Sequence, residues 1–371
     1  MSILFNPFKI QNLELRNRFV RSATYDGIAD ENGRVSDSQI KLFSDLADGG
    51  VGLIISGITY VHHTGQISPF HNSIADDESI PEFQKLIKVV HQRGAKIAIQ
   101  LFHGGKECKY LKTKNVLPLA PSIINNDPYY SGEYREITDS EIWEVINAFG
   151  DGAKRAKEAG FDAVQVHGAH AYLLSQFLSP FTNRRQDQWG GSLQNRLRLH
   201  CEIYKNIREK VGEDYPVFIK LGVEDGFFGG LQFDEGKESA ILLAKLGFDS
   251  LEISLGLRGN RYEGTEYKSH ITSLEKEAYY RAWCREIKSQ LDVPIMIVGG
   301  LRSLALMEEI IQNNEADCVS LCRPFICEPS LVNDWKTNKH KKLKCISCNK
   351  CVDAIYKGRQ IDCILTTPQV V

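Results

Sequence analysis

The 371-residue chain has no apolar stretch of membrane length: its longest runs, around Val51 to Ile55, fall far short of the roughly 20 residues a span needs. Its first residues, MSILFNPFKI, show neither a basic segment nor an apolar core, so nothing marks the chain for secretion. It has no charge surplus either. With 45 Lys and Arg against 47 Asp and Glu, the formal charge of −2 argues against a large basic surface for nucleic acid. Internal repeats and low-complexity segments are missing, no G-x-G-x-x-G follows the first strand candidate, and no cysteine precedes Cys108. These absences leave a folded cytoplasmic protein with no membrane or nucleic-acid partner, and 42% hydrophobic residues supply ample core.

Short β-branched runs alternate with amphipathic stretches almost from end to end. Strands are expected at 18–23, 52–57, 96–102, 162–167, 216–221, 249–254, 294–298 and 317–321. Near-continuous apolar strands such as GLIIS, KIAIQL, PVFIKL and PIMIV suit a parallel sheet buried on both faces. Ser36 with Gln39 and Thr138 with Glu141 have capping-box spacing, and Ile142, Val145, Ile146, Phe149 and Ala153 form an apolar helical stripe. Eight consecutive βα units predict a closed (β/α)8 TIM barrel over residues 1–337, closing near Phe325. A short cysteine-rich C-terminal tail, 338–371, follows. Long inserts after strands 3 (103–137) and 4 (168–192) lie at the end where barrels carry their sites.

Six of the ten cysteines are scattered through the barrel, whereas Cys345, Cys348, Cys351 and Cys363 crowd the tail. In a reducing compartment such clustering suggests metal rather than disulfides. The pattern C-x2-C-x2-C with a remote fourth cysteine resembles ferredoxin-type [4Fe–4S] ligation; a zinc knot or a bare tail are the alternatives. Just before it runs a basic segment, Lys339, His340, Lys341, Lys342 and Lys344, either a solvated linker or a docking site for an acidic redox protein.

At the end of strand 4 the chain reads HGAHAYLLSQFLSPFTNRRQDQWGGSLQNR. His167 and His170 are three apart, so a helical turn would put both imidazoles on one face. The residues alone leave three readings open: a satisfied buried pair, metal ligands, or donors to one ligand oxygen.

H-G-A-H-x-Y-L followed by D-x-W-G-G-S-x-x-N-R resembles the old yellow enzyme family of FMN-dependent ene-reductases. Further matches run from NPFKIQNLELRNRFVRSA through IQLFHGGK, VFIKLG, VGGL and CRPF. The resemblance is strongest to bacterial members related to dienoyl-CoA reductase, whose barrel leads into a cysteine cluster and then an FAD and NAD(P)H domain.

The resemblance implies that His167 and His170 hold the substrate carbonyl, stabilising the enolate that hydride addition creates, and that Tyr172 protonates the α-carbon. It places Ser22 and Ala23 along the isoalloxazine edge, Gly57 beside the ring, Gln100 at the pyrimidine, and Lys220 near flavin N1 and O2. An ion pair of Lys220 with a barrel carboxylate such as Glu252 is the plain alternative. Gly299, Gly300, Cys322 and Arg323 would hold the phosphate. Two departures stand out: Tyr25 where the family often has Thr or Cys, and, with no early cysteine, no covalent flavin link of the trimethylamine dehydrogenase kind.

The expected activity is reduction of the activated C=C bond of α,β-unsaturated carbonyl compounds by FMN. The electrons come from NAD(P)H or a reduced redox protein. The rivals are an oxidative amine demethylase of the same fold and a flavin/iron–sulfur electron carrier. An enone-type small molecule, an external redox protein and a homo-oligomeric copy are the partners this admits.

Overall fold

A computed structural model describes residues 2–259, 264–338, 343–357 and 359–366, so Lys339, His340, Lys341 and Lys342 of the basic segment lie outside the described residues. A hairpin of β1 (Phe8–Ile10) and β2 (Leu13–Leu15) comes first. Then follow β3 (Phe19–Arg21), α1 (Asp37–Asp48), β4 (Leu53–Tyr60), α2 (Ile80–His91) and β5 (Lys96–Phe102). The next segment carries β6 (Leu119–Ala120), β7 (Arg135–Glu136), α3 (Asp139–Ala159), β8 (Ala163–Gly168), α4 (Leu173–Leu178) and α5 (Leu193–Val211). The chain continues through β9 (Val217–Gly222), α6 (Phe233–Leu246), β10 (Ser250–Ser254), α7 (Arg281–Lys288), β11 (Ile295–Ile297) and α8 (Leu304–Gln312). It ends with β12 (Cys318–Leu321), α9 (Arg323–Cys327), α10 (Leu331–Lys336) and α11 (Lys350–Tyr356).

Among the described residues, β3, β4, β5, β8, β9, β10, β11 and β12 close into a parallel barrel in chain order. This is the expected (β/α)8 architecture, with each strand within a few residues of its expected span. Strand β4 runs three residues beyond expectation, through an irregularity between Ile55 and Ile58.

Alternation along the strands divides the interior into layers. Val20, Ala98, Ala163, Phe218, Met296 and Cys318 form one apolar cluster with Ile10, Leu13 and Leu15 of the hairpin, which plugs the N-terminal end. Two residues further along, the inward positions are Ser22, Gln100, Gln165, Lys220 and Ser320, joined by Glu252, and all are buried. A separate cluster packs the strands' outer faces against the helices.

The helix-start expectations divide. Thr138 and Glu141 form a full capping box, and the apolar stripe of α3 is buried. Ser36 caps α1 through the Gln39 N–H, but the Gln39 side chain is buried and donates to Asp26 and Asn72 instead of returning to the cap, so half the box is missing. A buried amide takes the partners around it, which spacing alone does not reveal.

At the C-terminal face, Asp225 fastens three loops. Its carboxylate accepts from the Ser179 hydroxyl at 2.6 Å, the Leu231 N–H at 2.7 Å and the Leu257 N–H at 2.6 Å. Replacing Asp225 with Ala strands three buried donors, and a loss of about 3 kcal/mol in unfolding free energy is expected. Denaturant titration checks this; an unchanged midpoint would show that the loops hold without it.

Candidate functional site

The C-terminal ends of the strands surround a cavity of about 460 Å3, within the usual size of a cofactor site. His167, still in β8, and His170 both line it, with ring centroids 5.0 Å apart and planes at 87°. The expected helical turn is absent. His170 and Ala171 take left-handed backbone conformations (φ 61° and 64°), and α4 starts only at Leu173. Their amides donate to the carbonyls of Leu255 and Gly256, so the loop after β10 supports a turn that spacing could not foretell.

Burial first, and then the proximity of the second imidazole and of the Lys220 charge, drive the His167 imidazole well below its ordinary value; His170 is lowered by burial, Lys220 and Arg258. Both rings are therefore neutral. His167 Nδ1 accepts the Ala169 N–H at 3.3 Å, which assigns its proton to Nε2. His170 Nε2 shares a 2.8 Å hydrogen bond with the Ser254 hydroxyl. The tautomer sets the roles in this bond: when Nε2 accepts from Ser254, the ring's proton lies at Nδ1, which is 3.9 Å from the Glu266 carboxylate. Two neutral N–H donors can thus address one ligand oxygen.

Tyr172 packs edge-on to His167 at 5.1 Å and to Phe102 at 4.5 Å. Burial pushes its phenol up to about 12, against the pull of Arg258, so it holds its proton at neutral pH. The Arg258 guanidinium lies 5.4 Å from the Tyr172 ring centroid and is gripped by Glu266 at 2.6 Å. Neither Arg258 nor Glu266 stood out in the sequence. Both come from the segment between β10 and α7, a third long insertion without a motif to mark it.

Lys220 pairs with Glu252 at 3.2 Å and donates to Ser22 Oγ at 2.9 Å, so the ion pair weighed in the sequence is present beneath the cavity. Gln100 lines the cavity and donates to Gln165 at 2.7 Å. Ser22 and Ala23 also line it. Gly57 does not. A Cβ there would meet the Thr24 carbonyl at 2.7 Å, so this glycine serves strand–loop packing and Ile58 faces the cavity instead. Tyr25 reaches the wall too, but its hydroxyl donates to Ser68 at 2.7 Å.

Gly299, Gly300, Cys322 and Arg323 line the end near β11 and β12. Both glycines have positive φ, and a Cβ on either would press to within 3.0 Å of the Tyr279 ring. Cys322 turns its thiol to Thr24 Oγ1 at 3.0 Å. Arg323 spends one nitrogen on the Lys268 carbonyl at 2.7 Å and Asn349 at 2.5 Å. Arg302, not singled out beforehand, lines the same end. Ser320 Oγ is buried at the cavity without a partner among the described residues. Glycine backbone, two arginines and an unspent hydroxyl fit the phosphate end of a flavin nucleotide.

The tail docks on this face: Ile361 N–H donates to the Asp26 carbonyl at 2.8 Å, Asn349 to the Tyr267 carbonyl at 2.8 Å, and Cys351 and Ile355 line the cavity. Cys345, Cys348, Cys351 and Cys363 all line one hollow of about 20 Å3. That is room for about one water. Burial raises Cys345 and pushes Cys351 up to about 12, and among the described residues no group of three or more ligand side chains is arranged to hold a metal ion. The thiols converge, but the hollow does not fit a preformed cluster.

The D-x-W-G-G-S-x-x-N-R motif lies outside the cavity. Asp187 accepts the Trp189 N–H at 3.0 Å, the buried Trp189 indole donates to Asp139 at 2.6 Å, and Arg196 donates to the Leu178 and Gly191 carbonyls at 2.8 Å. It braces the loop that carries the histidines.

Comparison with known proteins gives a consistent picture. A family model for the NADH:flavin oxidoreductase / NADH oxidase family matches residues 3–342. An NADH oxidase of Thermoanaerobacter brockii is 36% identical over 97% of this chain and 55% of its own length. A cinnamate reductase of Clostridium sporogenes is 31% identical over 97% of this chain and 57% of its own. A solved 2-naphthoyl-CoA reductase superposes with a TM-score of 0.90 at 27% identity, over 99% of this chain and 57% of that one. The chain thus spans about half the length of these relatives.

Depressed imidazole values predict that His167 and His170 stay neutral at mildly acidic pH. Ring resonances assigned by His167→Gln and His170→Gln should show no titration from about pH 8 down to about pH 5, where an unperturbed histidine would protonate. A midpoint near 6.5 for either ring would overturn the assignment.

Proposed function

The chain belongs to the NADH:flavin oxidoreductase / NADH oxidase family, the old yellow enzyme family, and on that premise we propose that it is an FMN-dependent ene-reductase. Its substrates are α,β-unsaturated carbonyl compounds, with NAD(P)H or a reduced redox protein as electron source. The convergence of His167, His170 and Tyr172 on one end of the cavity carries this reading. Bound FMN would supply two-electron hydride chemistry.

The chain's own residues do the rest. Gln100, Lys220, Ser22 and Ala23 would meet the isoalloxazine, with Gly299, Gly300, Arg302, Arg323 and the Cys322 backbone at the phosphate. His167 Nε2–H and His170 Nδ1–H would hold the carbonyl oxygen, each such donor worth about 2.7–4 kcal/mol of barrier as charge grows there. Tyr172, protonated at neutral pH, would give its proton to the α-carbon, and the Arg258 guanidinium would steady the phenolate left behind. The relatives include a cinnamate reductase and, at similar identity, an N,N-dimethylglycine/sarcosine dehydrogenase, so the preference for C=C reduction over amine demethylation rests on the histidine pair and Tyr172.

For the tail, only the C-x2-C-x2-C spacing with Cys363 supports an iron–sulfur site, since the hollow the four thiols share is too small for a cluster unless they spread. Lys344 is exposed beside Cys345, where an acidic carrier could dock.

Acid precipitation of purified protein should release all its yellow colour as FMN; flavin left in the pellet would contradict noncovalent binding. Tyr172→Phe should slow C=C reduction by about 10²- to 10⁴-fold with FMN retained. An unaffected rate would remove the proton donor. Anaerobically purified protein should carry about four iron and four labile sulfides per chain, lost in Cys348→Ala. Less than about one iron in the parent protein would leave the tail a structural wall.

A further inference from the structure

The floor of the cavity holds a carboxylate that the proposed chemistry does not use. Glu252 sits in β10 with 0% exposure. Its Oε1 accepts from the Ser22 hydroxyl at 2.8 Å, and its Oε2 from the Gln165 amide at 3.0 Å and from Lys220 Nζ at 3.2 Å. Lys220 Nζ also donates to Ser22 Oγ at 2.9 Å. An ion this deep is costly unless fully partnered, and an apolar side chain would fill the place, as Phe218 and Met296 do one layer below.

Two effects on the cavity follow. The first is electrostatic. Reduction adds negative charge to a flavin ring, which the Lys220 ammonium favours. A carboxylate in direct contact with that ammonium offsets part of its field, and the low dielectric of the barrel keeps both effects large.

The second is orientation. A carboxylate only accepts, so the Gln165 NH2 must face Glu252, and Gln165 Oε1 is left to accept from Gln100 Nε2 at 2.7 Å. Gln100 Oε1 then accepts no hydrogen bond from the described residues. A carbonyl oxygen at the cavity suits an N–H on its ligand, such as the imide N–H of an isoalloxazine.

We propose that Glu252 is a positioning residue that sets the reduction potential of the cavity's flavin. It does so as the buried counter-charge of Lys220 and as the group that fixes the polarity of the Gln165–Gln100 amide pair. This rests on the placement of FMN with its pyrimidine side toward Gln100 and Lys220, and it adds a residue that touches neither flavin nor substrate.

The test measures the affinity ratio of reduced to oxidised FMN through the midpoint potential, in equilibrium with redox dyes and without turnover. Glu252→Gln should raise the ratio about tenfold, which is about 30 mV for a two-electron couple. Glu252→Asp, which keeps the charge, should return it to within about twofold of the parent, about 9 mV. Lys220→Met should lower it. If Lys220→Met lowers the ratio while Glu252→Gln leaves it unchanged, Glu252 is structural and this inference is overturned while the flavin placement stands. A ratio indifferent to Lys220→Met as well overturns the placement and the inference together. Should Glu252→Gln not fold, the double variant Glu252→Met/Lys220→Met, which puts an apolar pair where an ion pair was, is compared with Lys220→Met alone. A higher ratio in the double variant supports the counter-charge; equal ratios overturn it.

Discussion

A closed ring of parallel strands forces every second residue of each strand into an interior that has no room for water. What stands in each layer therefore decides what the molecule can do. Here the layer nearest the N-terminal end is apolar and is plugged by Ile10, Leu13 and Leu15 of the hairpin. The layer above contains Glu252, Lys220, Gln165, Gln100 and Ser22, linked by hydrogen bonds of 2.7–3.2 Å. Most of these buried polar groups satisfy one another, which gives the cavity a rigid floor, while the Ser320 hydroxyl and Gln100 Oε1 are left for a ligand.

Above that floor, precision comes from loops that hold one another. The left-handed turn at His170 and Ala171 leans on carbonyls after β10, and Asp225 joins the loops around Ser179, Leu231 and Leu257. Trp189 and Arg196 brace the loop from outside. The cost of two left-handed residues, of order 1–3 kcal/mol each, is met by packing on every side, and it aims two imidazoles at one point.

Electrostatics then sort the titrating groups by burial. The histidines lose charge because burial and the nearby cations disfavour it, and Tyr172 keeps its proton for the same first reason. Neutral donors and a protonated phenol are suited to meeting negative charge that develops during a reaction, since they present no charge of their own beforehand.

The sequence by itself determined the barrel, because a strand buried on both faces must be apolar along its length and a surface helix must be striped. Those are local periodicities that eight βα units repeat. It also exposed His167, His170 and Tyr172, since they follow a strand at the end where barrels carry their sites, within a motif of family kind. Arg258, Glu266 and Arg302 came to the site only through the fold, as did the Lys220–Glu252 pair that the sequence had offered only as an alternative. The Gln39 side chain left its capping box, and Gly57 turned to the Thr24 carbonyl rather than the cavity. In each case the deciding partner lies far along the chain. Which buried donor meets which acceptor is settled by barrel closure, which brings residues such as Ser22 and Glu252 within 2.8 Å across 230 positions of sequence.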